Sequence, residues 1–386
     1  MSEFASKLPD VGTTIFTVIS QRAQELGAVN LGQGFPDYPV DPRLTELVTA
    51  AMQAGHNQYA PMAGLPALQD LIAADANKRH GINIDARRSV TITLGATEAI
   101  FSAVLALVGA GDEVVVFDPA YDSYDPAVRL AGARCVHVPL LPPAFAYDWD
   151  RVRAAVNERT RMIIINSPHN PACTVLSLDD LDQLAAIAAQ RNLLVLSDEV
   201  YEHIVYAPTR HHSVLSHAGL RERALAVFSY GKSLHATGLR VGYCIAPPQL
   251  STELRKVHQF NTFTIATAFQ HAVANYLSET PQVFAALAPF FERKRALLTA
   301  GLAGSVFRVL PSQGTYFTLV DYGQSQLLAG LDDQAAATKL LEEVGVASIP
   351  LAPFYREPVR HSLLRLCFAK QDSTLERAIE RLRACR

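Results

Sequence analysis

The chain predicts an α/β fold: a large domain built on a mostly parallel mixed sheet with helices on both faces, joined to a smaller α/β domain. Three observations carry this. Short, near-continuous apolar runs such as Val90 to Leu94, Met162 to Ile165 and Ala224 to Phe228 have the pattern of strands buried on both faces. Helix-length segments alternate with them, the order that builds βαβ units. A length of 386 residues is close to two domains of ordinary size.

Bulk composition removes several function classes. Apolar residues make up 49% of the chain and charged residues 18%, as in a globular protein with a sizeable core. A net charge of −3 gives no electrostatic case for nucleic acid or an anionic membrane. The apolar runs are far too short to span a bilayer. The opening MSEFASKLPDVG has no basic segment followed by an apolar one, so export is not expected. Five cysteines, odd in number and scattered, point to reduced thiols in a cytoplasmic protein without a CxxC metal site.

In chain order, LGQGFPDYP is a Gly- and Pro-rich irregular segment, where Gly34 would let backbone approach a ligand. An amphipathic helix starts at Asp41, the NQYAPMAG loop carries Tyr59, and a helix from Leu65 to Lys78 stops at Gly81. The strand Val90 to Leu94 turns through Gly95-Ala96-Thr97 into a helix reaching about Val108. Free backbone N–H groups and the helix dipole make such a turn an anion site. Strands follow at Glu113 to Phe117, Arg134 to Val138 and Arg161 to Asn166, with a helix after Pro126. Ser177 and Asp180 form a capping box that opens a helix ending near Asn192. Leu193 to Ser197 is a strand that runs into SDEVY. Ligands of parallel sheets sit beyond the carboxyl ends of the strands, and each of these loops lies at such an end.

The next strand, Ala224 to Phe228, leads into SYGKSLHATGLRVGY. A lysine there, Lys232, is a plausible nucleophile, since an amine with a lowered pKa forms Schiff bases with aldehydes. Ser229 and Arg240 are placed to grip a phosphate, Arg240 through a charge-assisted fork. Further on, one long helical region is expected from Ser251 to Leu277 and another from Pro281 to Leu302. Strands at Val306 to Leu310 and Thr315 to Val320, a helix near Gln334 to Val344, and the run Leu363 to Phe368 enclosing Arg365 complete the chain. The division expected is residues 41–280 as the large domain, and 1–40 with 281–386 as the smaller one.

Taken together, SPHNP, SDEVY, SYGKS with GLRVGY, and the late RLCF arginine resemble class I aminotransferases, fold-type I enzymes dependent on pyridoxal 5'-phosphate. The resemblance covers nearly the whole chain and implies an aspartate-aminotransferase-like fold. NQYAPMAG, PAYDSYDP, SDEVYEHI and GYCIAP are most similar to methionine and kynurenine aminotransferases. NSPHNPAC departs from the commoner NNPTG at its end, which keeps Asn170 and Pro171 and leaves the following turn open.

The resemblance also implies roles. Lys232 would hold the cofactor as a Schiff base and then move the proton between Cα and C4′. Asp198 would pair with the pyridine nitrogen and keep it protonated, so that the ring is an electron sink. Asn170 and Tyr201 would hydrogen-bond O3′, and Tyr121 would stack on the ring. Gly95, Ala96, Thr97, Ser229 and Arg240 would meet the phosphate, joined by Tyr59 from a second subunit, hence a homodimer. Arg365 would clamp the substrate α-carboxylate, helped by Asn170 and the backbone of Gly34. Glu199 would be structural. His203, His211, His212 and His217 match no metal-ligand spacing, so no metal is expected.

The reaction implied is ping-pong transfer of an amino group from an L-amino acid to a 2-oxo acid through pyridoxamine phosphate. Ile15, Phe16, Tyr121, Phe354 and Phe263 of the partner would wall an apolar pocket suited to methionine, glutamine-like, aromatic or kynurenine side chains. Two rivals follow from the same residues: a carbon–sulfur β-lyase, and a non-catalytic ligand-sensing domain. The second would need a basic DNA-binding segment ahead of a body that here begins almost at Met1.

Overall fold

The computed structural model describes residues 5–385. The first four residues of the MSEFASKLPDVG stretch lie outside the described residues.

A seven-stranded sheet organises the larger part of the chain. Its order is Val90–Leu94, Val241–Ile245, Ala224–Ser229, Leu194–Asp198, Thr160–Asn166, Glu113–Asp118, Arg134–Pro139. All neighbours are parallel except Val241–Ile245, which runs against both of its partners. Side chains along the central strands alternate between two cores. Ile163 and Ile165 face one, while Met162 and Ile164 face the other, and all four are fully buried. That period of two, with both faces apolar, is why these strands read as unbroken apolar runs.

Four of the parallel strands end on residues with chemistry: Asp118, Asn166, Asp198 and Ser229. The sheet thereby gathers polar groups along one edge, at its carboxyl ends.

A second, antiparallel sheet has the order Ile349–Pro350, Leu363–Cys367, Phe317–Asp321, Arg308–Val309. Helices Leu287–Leu302 and Asp372–Arg383 pack together beside it. The two-residue strand Val29–Asn30 pairs in parallel with Val346–Ala347, tying the N-terminal segment to this region.

Several boundaries differ from the sequence expectation for identifiable reasons. The helical region expected over 251–277 is two helices, Pro248–Asn261 and Thr267–Glu279. Phe263 takes a left-handed backbone (φ 68°) that no helix continues through. The helix with Pro126 begins earlier, at Tyr124, and the one expected from Pro281 begins at Leu287. In each, the proline (Pro126, Pro289) falls in the first turn, where its missing N–H costs nothing. The helix expected near 334–344 is α-helical over Asp333–Lys339 and widens to a π-turn over Leu340–Val344 before Gly345. Helix Ile15–Glu25, capped by Thr14, and strand Val241–Ile245 were not expected.

Candidate active site

The carboxyl edge of the large sheet forms a cleft. Ala96, Thr97, Tyr121, Asn170, Asp198, Tyr201, Ser229, Lys232 and Arg240 all line it. Nine side chains spread over 145 positions of sequence thus converge on one cavity.

Lys232 sits in the four-residue helix Tyr230–Ser233, directly after the strand that ends at Ser229. Its Nζ lies 5.7 Å from the Tyr201 ring centre and 5.9 Å from that of Tyr316. Burial lowers its pKa to about 8, and the Arg365 and Arg240 cations push the same way against Asp198 and Cys367. An appreciable fraction of neutral amine near neutral pH is what a Schiff-base lysine needs.

Asp198 ends its strand and is almost fully buried. Desolvation raises its carboxyl to about 6, against the hydroxyl of Tyr124, which donates to Oδ2 at 2.7 Å. The Val200 N–H donates to Oδ1 at 3.3 Å. Asn166 fastens the backbone behind it: Nδ2 donates to the Asp198 carbonyl at 2.9 Å, and Oδ1 accepts the Asn170 N–H at 2.8 Å. A buried carboxylate with a long bond on one oxygen is a ready partner for a cationic ring nitrogen.

The anion end of the cleft is built by close backbone approach. Gly95 has φ +71°, and a Cβ there would stand 2.6 Å from Arg240 Nη2. A Cβ on Gly242 would stand 2.6 Å from the Gly95 carbonyl carbon. Only glycine fits at either position. Behind them helix Gly95–Leu107 points its free N–H groups into the cleft. Tyr121 is in hydrogen-bond reach of Thr97, and burial pushes its phenol up to about 12.

Arg365 comes from the small sheet and is 1% exposed. Nη1 donates to Asn170 Oδ1 at 2.6 Å and Nη2 to the Gly32 carbonyl at 2.8 Å. Its Nε is buried with no partner. The guanidinium stacks 3.9 Å from the Phe317 ring centre and 5.1 Å from that of Phe16. Phe16 in turn meets Phe354 at 5.5 Å, and with Ile15 they form a small apolar cluster. The Gly34 carbonyl accepts the Tyr316 hydroxyl at 2.6 Å, which ties this segment to the small sheet beside Arg365.

Two expected residues are not in the cleft of this chain. Tyr59 is 84% exposed and packs edge-on against the exposed Phe263 at 5.2 Å. The histidines are engaged elsewhere: His211 with Glu199 at 2.8 Å, His217 with Asp182 at 3.0 Å, and His203 stacked on Phe284. Glu199 also accepts from Ser197 Oγ and the Val214 N–H. In the turn left open by NSPHNPAC, Cys173 takes the left-handed backbone (φ 62°) at the place of the glycine in the commoner form. The sequence reading missed Tyr124, Asn166, Tyr316 and Gly32. Tyr124 was visible as a second tyrosine one helical turn after Tyr121.

A lysine, a buried carboxylate and a buried arginine stand around one cleft with a glycine-lined anion end, the polar set an enzyme of amino acids needs. The chain matches the aminotransferase class I and II family over residues 27–382 and belongs to it. It is therefore a transaminase, of a family that depends on pyridoxal phosphate. It is 48% identical to a methionine aminotransferase of Escherichia coli (strain K12), covering 98% of this chain and 97% of that one. A solved structure from Escherichia coli, described as having a methionine aminotransferase function, superposes with a TM-score of 0.96 at 48% identity over 99% of both chains. A probable N-succinyldiaminopimelate aminotransferase of Mycobacterium tuberculosis is 41% identical over 98% of this chain and 97% of its own. Rat kynurenine–oxoglutarate transaminase 1 is 32% identical over 98% and 97%. The aspartate-aminotransferase-like fold expected from the motifs is the fold observed.

Proposed function

We propose that this protein transfers the amino group of an apolar or aromatic L-amino acid, methionine foremost, to a 2-oxo acid. The observation that carries the side-chain preference is the Phe16–Phe354 wall beside the Arg365 guanidinium. A substrate held by its α-carboxylate on Arg365 extends its side chain along those rings. The arginine that lines the cleft itself, Arg240, stands at the Gly95 turn. An apolar wall discriminates one methylene by only about 1–3 kcal/mol, so several amino acids are accepted. The 48% identity to the Escherichia coli methionine enzyme supports the same reading.

The residues present fit pyridoxal 5'-phosphate. Lys232 Nζ makes no hydrogen bond or ion pair among the described residues, and the Gly95 turn is a cradle that a Cβ would fill. When bound, the cofactor supplies an electron sink for the pair left as the Cα proton departs. The Gly95, Ala96 and Thr97 N–H groups, Ser229 and Arg240 would hold its phosphate. Asp198 would keep a proton on its pyridine nitrogen, Asn170 and Tyr201 would donate to its phenolic oxygen, and Tyr121 would cover the ring. Lys232 would hold the cofactor's aldehyde carbon and, once its amine is free, would be the base that takes the Cα proton. Arg365 and Asn170 orient the α-carboxylate so that the Cα–H bond faces Lys232.

We further place Tyr59 and Phe263 in the cleft of a second copy, in a homodimer. Both are exposed here, next to exposed Phe260, on a surface that a partner would cover. Five free thiols match the reducing cytoplasm. We divide the chain at residues 41 and 281, with the seven-stranded sheet in 41–280 and the antiparallel sheet in 281–386.

The test is a panel of single-turnover half-reactions, comparing rate per concentration for methionine, phenylalanine, glutamine, kynurenine, N-succinyldiaminopimelate and aspartate. Methionine and the aromatic substrates faster than aspartate by tenfold or more support the reading. Aspartate or the succinylated diamine as the fastest substrate overturns the pocket assignment, and pyruvate release from cysteine conjugates without an oxo acid would favour lyase chemistry.

A further inference from the structure

A second group of chemically distinctive side chains lies on the outer strand of the large sheet, away from the cleft. Among the described residues, strand Arg134–Pro139 pairs only with Glu113–Asp118 and forms the sheet edge. Cys135 and His137, two apart on it, leave the same face. Helix Tyr124–Leu130 packs on that strand and brings in Asp125. One donor atom each of Asp125, Cys135 and His137 lies within 4.8 Å of the other two. His137 Nε2 is 3.9 Å from Asp125 Oδ1, and the Cys135 thiol is in hydrogen-bond reach of Asp125.

The supporting contacts orient these groups as metal ligands would be oriented. Ligands about 2.0–2.3 Å from a tetrahedral zinc ion lie about 3.3–3.8 Å from one another, so these side chains need to close by only about 1 Å. His137 Nδ1 is held by Asp118 Oδ1 at 2.8 Å, and Asp118 Oδ2 accepts the Arg356 N–H at 2.8 Å. A carboxylate on the far nitrogen is the arrangement that orients a metal-binding imidazole and turns Nε2 outward. Asp125 divides its oxygens: Oδ2 accepts from Arg129 at 3.2 Å, which leaves Oδ1 facing His137. An open cavity of about 720 Å³ over Cys135 and His137 gives an entry path and room for a water ligand.

We propose that Asp125, Cys135 and His137 bind one divalent transition-metal ion of the zinc type, with Asp118 orienting His137 and water as fourth ligand. The mixed sulfur, nitrogen and oxygen set selects zinc or cobalt over magnesium or calcium. Binding displaces two protons to solvent, one from the Cys135 thiol and one from His137, which Asp118 and Asp125 keep protonated against its burial. The ion fastens the helix that carries Tyr124 to the sheet edge, and it takes no part in amino transfer.

The holoenzyme, stripped with a chelator and dialysed, is titrated with Zn²⁺ and with Co²⁺. One ion per chain is expected, with cobalt ligand-field bands in the red, clear of the cofactor's absorption, and a thiolate-to-cobalt band. Cys135→Ser and His137→Ala should each weaken binding tenfold or more, and Cys135→Ser should lose the thiolate band. A measurement on the unaltered protein guards against misfolded variants. Cys135 is the one cysteine of five that is not buried, so a thiol reagent should label it first and Zn²⁺ should slow that labelling. No stoichiometric ion, unchanged affinity in both variants, or labelling indifferent to Zn²⁺ would each overturn the proposal.

Discussion

Asp198→Asn should stabilise the cofactor-free protein at neutral pH while abolishing transamination. Burial raises the Asp198 carboxyl from an ordinary 3.8 to about 6. With the folded value above the unfolded one, the unfolded chain gives up its proton first as pH rises. Stability contributed by this group is therefore full below about pH 4, falls between about pH 4 and pH 6, and stays lost above. A gap of about two pKa units corresponds to about 3 kcal/mol. The amide of the variant carries no charge, and its oxygen still accepts the Tyr124 hydroxyl that sits 2.7 Å from Oδ2. Cofactor-free variant and parent should thus melt alike near pH 4 and diverge upward to pH 6, with the variant ahead by up to about 3 kcal/mol. The assay is a set of thermal melts across that range, repeated with cofactor bound. The cofactor should reverse the order, because a cationic ring nitrogen compensates the aspartate and not the amide. A difference between the two proteins that does not grow from pH 4 to pH 6 would refute the reasoning.

Three further outcomes follow. Arg365→Lys removes a fork bonded to Asn170 and Gly32, and at about 1.5–3 kcal/mol for a charged hydrogen bond kcat/KM for methionine should fall roughly 10- to 150-fold. Steady-state kinetics would check this, and the cofactor's Kd should not move. Gly95→Ala puts a methyl 2.6 Å from Arg240 Nη2 at a φ of +71°, so titration should show cofactor affinity reduced about tenfold or more, by displacement of Arg240 and about 1–2 kcal/mol of backbone strain. Capture of added cofactor by the cofactor-free enzyme needs the neutral Lys232 amine, so stopped-flow absorbance should show the rate rising with pH and levelling above about 8.

Much of the site was legible because its residues cluster in short motifs at strand ends. Gly95, Asn170, Asp198, Ser229 and Lys232 follow strands that apolar runs announce, and a parallel sheet brings such ends together. Arg365 was legible as a charge inside an apolar run, which needs a partner when buried. Gly32 was not, because its contact with Arg365 crosses 333 positions and leaves no local pattern. Strand Val241–Ile245 was read only as part of the lysine motif, and its antiparallel setting breaks the alternation that identified the others. The gap between helices Pro248–Asn261 and Thr267–Glu279 depends on the backbone of Phe263, a residue type that seldom adopts φ 68°.

The central claim is amino transfer through a cofactor held on Lys232, and absorption spectroscopy tests it most directly. The purified enzyme with pyridoxal phosphate should show a visible band that methionine alone bleaches to a near-ultraviolet one, and that a 2-oxo acid restores. Lys232→Ala should not cycle in this way. A visible band absent despite added cofactor and an intact Lys232, or one that no amino acid bleaches, would contradict the account.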